Sequence, residues 1–193
     1  MFLISRPSAR AIDGFLRQSE GLPLSHAPVG LANQDLPGFD VDELIAPIGY
    51  GRALFLDTER ALHAWKHFDL GWIEVFPQTA SIREGAVVAV LMRHLGFWSL
   101  NGCRIVYTLG DGQVDVRCGF AYGTLPNHAE MGEELFEIRW DPGSDEVTYR
   151  LRAASRPRAL LARAGRPIVR ALQARCRRES AAALRAAVTG RKT

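Results

Sequence analysis

From Trp72 to Ala153 the period of the chain changes to two, and that change restricts the fold more than any other feature. Six segments carry it: Trp72 to Phe76, Ala86 to Arg93, Cys103 to Leu109, Val114 to Tyr122, Glu134 to Trp140 and Val147 to Ala153. Short turns separate them, two marked by Gly110-Asp111-Gly112 and Asp141-Pro142-Gly143. Consecutive strands joined this closely pair antiparallel. In the last hairpin Phe136, Ile138 and Trp140 alternate with Glu137 and Arg139, while Tyr149, Leu151 and Ala153 alternate with Arg150 and Arg152. One face of the sheet is therefore expected to be buried and the other wet, and the buried face needs a cover.

The C-terminal segment supplies one. Between Arg158 and Val188, the residues Leu161, Ala164, Ile168, Leu172, Cys176, Ala183, Leu184 and Ala187 form an apolar stripe along a long helix, with Arg163, Arg170, Arg177 and Arg178 on its remaining surface. Pro167 is expected to kink this helix or to mark its restart after Gly165. Near the N-terminus, Ser8 is placed to cap a short helix whose Ile12, Phe15, Leu16 and Ser19 share a face, and Gly21 and Pro23 end it. Residues 22–39 read as irregular connection, Val41 to Ile48 as the first strand, and Asp57 to Phe68 as a second helix facing a core through Ala61, Leu62, Trp65 and Phe68.

This order predicts an α+β fold in which a curved antiparallel sheet of about six to seven strands wraps a long C-terminal helix, a helix-grip arrangement. The 193 residues, 47% hydrophobic and 23% charged, fit one core and one domain. Its expected parts are 1–40 (helix and connection), 41–154 (sheet with one inserted helix), 155–188 (basic helix) and 189–193 (flexible tail). The apolar run at Met1 to Ile4 is too short for a secretory signal, and no window approaches the length of a membrane span, so a cytoplasmic location is expected. Three cysteines, Cys103, Cys118 and Cys176, lie far apart without the spacing of a disulfide framework or a zinc site. Charge is uneven: residues from Arg150 onward carry +12 and those before it −9. The basic end has either an anionic surface or the chain's own acidic face to meet.

The strands also carry residues that are expensive to bury alone: Trp98, Asn101, Arg104, Tyr107, Tyr122, His128, Glu130 and Glu133. A neutral polar group without a partner costs about 1–3 kcal/mol, so their concentration predicts a network or a polar-lined cavity. His128, Glu130, Glu133 and Glu134 are candidates for proton sharing or metal binding, with His128, Glu130 and Glu133 the catalytic candidates. The structural alternative pairs Glu130 or Glu133 with Arg104 or with the basic helix. Arg104 either forms such a bridge or holds an anionic ligand head group. Alternation sets Cys103, Ile105 and Tyr107 opposite Arg104 unless a bulge intervenes.

For a ligand, Trp72, Trp98 and Phe120 would enclose the body, while Asn101, Arg104, Tyr107 and Tyr122 would orient the polar end. No Ser-His-Asp constellation, glycine-rich phosphate loop or HExxH pattern occurs, and no metal or cofactor is implied. The basic helix lacks interleaved aromatics, which argues against specific nucleic-acid binding and leaves weak contact with anionic surfaces.

Several longer motifs resemble one family. They are Phe2-Leu3 followed by Arg6-Pro7-Ser8, then His67 through Trp72, Leu95 through Asn101, Cys103 through Tyr107, and Gly119 through Pro126. His128-Ala129-Glu130, Gly132-Glu133-Glu134, Ser155-Arg156-Pro157 and Arg170-Ala171-Leu172-Gln173 continue the match. Together they resemble domain of unknown function 1990, departing from its pattern at Met131 and Leu135. The resemblance carries no catalytic residues. Its element order is also similar to the START and birch-allergen superfamily of hydrophobic-ligand carriers, which implies a small apolar or amphipathic molecule held between sheet and helix. An enzyme on the same scaffold using His128 and Glu130, or a scaffold with a filled core, are the rivals.

Overall fold

The computed structural model describes residues 2–110, 116–157 and 166–190. The expected turn at Asp111-Gly112, the start of a strand at Val114, the helical residues 158–165 and the last three residues of the tail lie outside these. Along the chain run β1 (Phe2–Leu3), α1 (Ala9–Glu20), β2 (Asp40–Tyr50), α2 (Arg52–His63), β3 (Ile73–Phe76), β4 (Val87–His94), β5 (Phe97–Leu109), β6 (Arg117–Thr124), β7 (Glu130–Trp140), β8 (Glu146–Pro157) and α3 (Arg166–Thr189). The strands form one antiparallel sheet in the order β2-β8-β7-β6-β5-β4-β3, with β1 paired to the start of β5.

Local chemistry explains most of these boundaries. The Ser8 hydroxyl accepts from the Ala11 N–H at 3.3 Å and caps α1. The second helix lies earlier than expected, because Trp65 adopts a left-handed backbone (φ 59°) and the chain continues only as a 3-10 turn over Lys66–Phe68. The fifth strand begins at Phe97, six residues before its expected start, and β1 is too short for a period to reveal it.

The concave face carries the main core. Val88, Val90, Cys103, Ile105, Phe120, Phe136, Ile138, Tyr149 and Leu151 pack there against Phe55 and Leu62 of α2, Trp65 and Phe68 of the 3-10 turn, and Ala181 and Leu184 of α3. The convex face is not simply wet, which corrects the sequence reading. Ile12 and Phe15 of α1 cover Ala89, Leu91 and Leu100, and Ala32 with Leu24 covers Val106, Ala121 and Leu135. Where no segment covers it, charges pair across strands. Arg150 bridges Glu43 at 2.6 Å and the buried Glu137 at 3.1 Å, and Arg139 reaches the same Glu137 at 2.9 Å.

Curvature has identifiable causes. The register shifts in β5 between Ile105 and Tyr107 and in β2 between Pro47 and Gly49. Gly119 and Gly132 hold φ of 154° and 157°, and a Cβ at either would lie 2.1 Å from a carbonyl oxygen of the next strand. Only glycine lets these strands bend so closely over their neighbours.

Candidate functional site

Sheet and helix meet in solid contact at one end and separate at the other. Towards the C-terminus of α3, Leu184 is fully buried and the Tyr149 hydroxyl meets Ser180 Oγ at 2.9 Å. Towards its other end, Leu172, Gln173, Cys176 and Arg177 stand back from the sheet over a cavity of about 520 Å³. Phe68, Ile73, Val90 and Met92 form its apolar wall, and Phe2, Leu95 and Phe97, all more than half exposed, stand at its mouth.

Strand β7 supplies the carboxyl residues of its lining. Residues two apart on a strand share a face, so Glu130, Gly132 and Glu134 all line the cavity from β7. Opposite Glu134 in the β6 register is Tyr122, whose hydroxyl donates to Glu134 Oε2 at 2.5 Å. Burial pushes the Glu134 carboxyl up to about 7, against the lowering effect of the Tyr122 bond and of Arg177. Burial also raises Glu130, although Gln173 Nε2 donates to both of its oxygens, at 3.0 and 2.8 Å. His128 lines the same end. Its Nδ1 accepts from the Glu130 N–H at 2.9 Å, and burial holds the ring down at about 4, so the imidazole is neutral.

The other expected site residues are placed differently. Glu133 points to the convex side, where it accepts from the N–H groups of Gly30 (2.9 Å) and Ala32 (3.2 Å) and lies 3.5 Å from His26 Nε2. Burial raises its carboxyl, but those partners outweigh burial and hold it below the usual range. It anchors the connection between α1 and β2. Arg104 forms no bridge to Glu130 or Glu133 and does not line the cavity; its guanidinium donates to the Glu20 carbonyl at 2.8 Å, at the end of α1. The bulge in β5 turns Tyr107 to that convex side as well, where its hydroxyl accepts from Asn33 Nδ2 at 2.9 Å.

Trp98 packs with the α1 cluster under the Arg93 guanidinium, and Phe120 is fully buried between Trp65, His67 and Phe136. Trp72 donates its indole N–H to Glu179 Oε2 at 2.6 Å and lies beneath Arg175. None of these three lines the cavity. Asn101 does, yet its amide is engaged by the protein: Nδ2 donates to Ser99 Oγ (3.2 Å) and the Val90 carbonyl (3.4 Å), and Oδ1 accepts from the Ala129 N–H at 3.4 Å. Of the expected ligand-binding set, Asn101 and Tyr122 reach the hollow. Among the described residues no three His, Cys, Asp or Glu side chains assemble as a metal site.

Gln173 is the residue that sequence reasoning misses. Its signal is a single amide beside Leu172 and Cys176 on the helix stripe. The helix is held above the cavity by Asp42 of β2, which receives both ends of the Arg170 guanidinium at 2.6 and 3.0 Å and Arg177 at 3.2 Å. The basic helix thus meets the chain's own acidic face.

The model of the family described as a domain of unknown function (DUF1990) matches residues 25–183. The chain belongs to the DUF1990 family. Among relatives of DUF1990 type, a UPF0548 protein of Dictyostelium discoideum is 36% identical over 143 residues, 70% of this chain and 66% of the relative. A UPF0548 protein of Deinococcus radiodurans is 31% identical over 91% of this chain and 92% of its own length. A crystal structure of a hypothetical protein from Helicobacter pylori superposes with a TM-score of 0.54 at 13% identity, covering 83% of this chain and 94% of that one. That likeness shows a shared fold alone.

Proposed function

We propose that this DUF1990 protein binds a small amphipathic molecule in the hollow between its curved sheet and α3. The observation that carries the reading is the cavity itself: about 520 Å³, within the usual range for small-molecule sites, apolar along its walls and polar at one end. Burial of an apolar body against Phe68, Ile73, Val90 and Met92 drives binding at roughly 25 cal/mol per Å² of apolar surface. Tyr122, Glu130, Glu134 and Gln173 orient the polar end.

Native mass spectrometry after gentle purification, together with titration by a polarity-sensitive fluorescent probe, tests this. Bound small molecules or saturable probe uptake are expected, and Val90→Trp should abolish uptake while the fold melts cooperatively. Absence of both, or uptake that ignores the filled cavity, overturns the reading.

Proton transfer on the bound molecule is the second reading, and a carboxyl held near neutrality inside a cavity favours it. Its carrier in this reading is Glu134, held near 7, because burial holds the His128 ring down at about 4. Recovery of the bound molecule chemically unchanged after long incubation would leave binding alone.

A further inference from the structure

We propose that the polar end of the bound molecule is a protonated amine, received between Glu130 and Glu134 beneath Gln173. The inference rests on the binding reading above and concerns only the chemistry of the head group.

Three features of the wall converge on it. The first is the gap in β7. Glu130 and Glu134 flank Gly132 on one face, and glycine leaves no side chain between the two carboxyl groups. The backbone there is already satisfied, because the Gly132 N–H donates to Thr124 Oγ1 at 2.9 Å and Thr124 Oγ1 donates to the Gly132 carbonyl at 3.2 Å. A ligand group entering the gap therefore meets carboxylates, not main chain.

The second feature is Gln173. Its Nε2 is committed to both oxygens of Glu130, which turns Oε1 away as a buried acceptor with no hydrogen-bond donor among the described residues. An unpaired buried acceptor costs free energy until something donates to it. The third is where the cations go. Arg177 lines the cavity but binds Asp42, Arg170 binds the same carboxylate through two bonds, and Arg104 lies on the convex side.

The polar end thus offers acceptors on three sides. A carboxylate or phosphate head would bring further lone pairs and charge of the same sign. An ammonium group brings one positive charge and three N–H donors, matching Glu130, Glu134 and Gln173 Oε1.

The groups that act on Glu134 come from every element around it: Glu130 on its own strand, Tyr122 of β6, Cys103 of β5, Tyr149 of β8, Asp42 of β2, and Cys176 and Arg177 of α3. Of these, only the carboxyl groups and Arg177 carry charge near neutrality, since burial raises both thiols and both phenols. With Glu134 held near 7, an ammonium ligand binds best to its ionised form, so amine affinity rises with pH across that value.

Decylamine, decanol and decanoate, used below their micellar concentrations, test the head group at constant chain. Calorimetry on the intact protein at pH 6 and pH 8 should rank decylamine at least about tenfold tighter than decanol at pH 8, with decanoate weakest, and the amine advantage should shrink at pH 6. Glu134→Gln and Glu130→Gln should each weaken decylamine about tenfold while leaving decanol within about twofold, which also reports that the cavity is intact. Decanoate binding as tightly as decylamine, or amine affinity indifferent to both substitutions, overturns the amine head group. Decanol bound without any amine preference removes this inference and leaves the cavity reading standing, whereas failure of all three probes removes both.

Discussion

Tyr122 and Glu134 stand opposite each other on β6 and β7, and the phenol donates to the carboxylate across 2.5 Å inside the cavity. This bond favours the ionised carboxylate, while burial, the larger effect, favours the neutral acid and leaves Glu134 near 7. Tyr122→Phe should therefore move that titration upward, by about one unit for a bond to a charged group. The infrared carboxyl band or the carboxyl carbon shift of labelled glutamate reads it directly. A titration that stays in place, or moves down, contradicts the assignment.

Stability carries the same information with a definite sign. Unfolded Glu134 ionises at its ordinary 4.5 and folded Glu134 at about 7, so its folded acid form is favoured at low pH. That advantage is complete below 4.5 and is lost as pH climbs through 7, a change of order 3 kcal/mol. Glu134→Gln should flatten the dependence and stabilise the protein more at pH 8 than at pH 4.5. Parallel denaturation profiles for the two proteins would refute it.

His67 gives the opposite slope. Enclosed by Trp65, Phe68, Phe120 and Phe136, it is completely buried, neither ring nitrogen has a hydrogen-bond partner among the described residues, and burial lowers it to about 3. The unfolded chain takes up its proton near 6.5, so stability present above that value falls by about 1.4 kcal/mol per pH unit on the way to 3. His67→Phe removes the titration and two unpaired polar atoms. We expect a higher melting temperature at pH 7 and a larger gain at pH 5, measured by calorimetry; equal gains at both would show that His67 is protonated in the fold.

Alternating segments and short apolar runs locate the strands from β2 to β8, although β5 begins six residues before its expected start. Periodicity fails where alternation itself fails. One extra residue in β5, between Ile105 and Tyr107, turns Tyr107 to the side of Arg104, and local sequence contains no mark of that slip. On β7 the alternation is unbroken, so Glu130 and Glu134 fall on the cavity face and Glu133 behind it, as a strand requires. Asn101 is legible as a buried amide but not as a satisfied one, since its partners Val90 and Ala129 come from other segments. Gln173 needs the docking of α3 on β7 before its amide has a meaning.

Two glycines separate packing from backbone freedom. At Gly132 a Cβ would lie 2.1 Å from the Ala154 carbonyl oxygen and 2.7 Å from Ser155 Cα, and φ is 157°. Backbone must move to admit it. Gly132→Ala is expected to destabilise by more than about 3 kcal/mol. Gly14 lies inside α1 with no described residue within 4 Å of the position an added methyl would take, so Gly14→Ala should stabilise by about 0.5–1 kcal/mol. Urea denaturation distinguishes them, and equal effects would mean that β7 does not bend over β8 as described.

Asp42 ties the helix to the sheet beside the cavity, and its removal has two separable consequences. The carboxylate receives Arg170 through two bonds and Arg177 through one, with Arg177 and Asp42 mostly buried and Arg170 partly exposed. Solvent screening at Arg170 reduces what the pair contributes, so Asp42→Asn should destabilise by about 1–2 kcal/mol. Hydrogen exchange should accelerate in residues 170–177 and leave the Leu184 end of α3 protected. The same substitution releases the Arg177 guanidinium, which lines the cavity, from its charged partner. Decanoate should then bind more tightly than to the unaltered protein and decylamine less tightly, reversing the head-group preference without touching Glu130 or Glu134. If Asp42→Asn loosens the helix yet leaves both affinities alone, the field inside the hollow does not depend on how Asp42 engages these arginines.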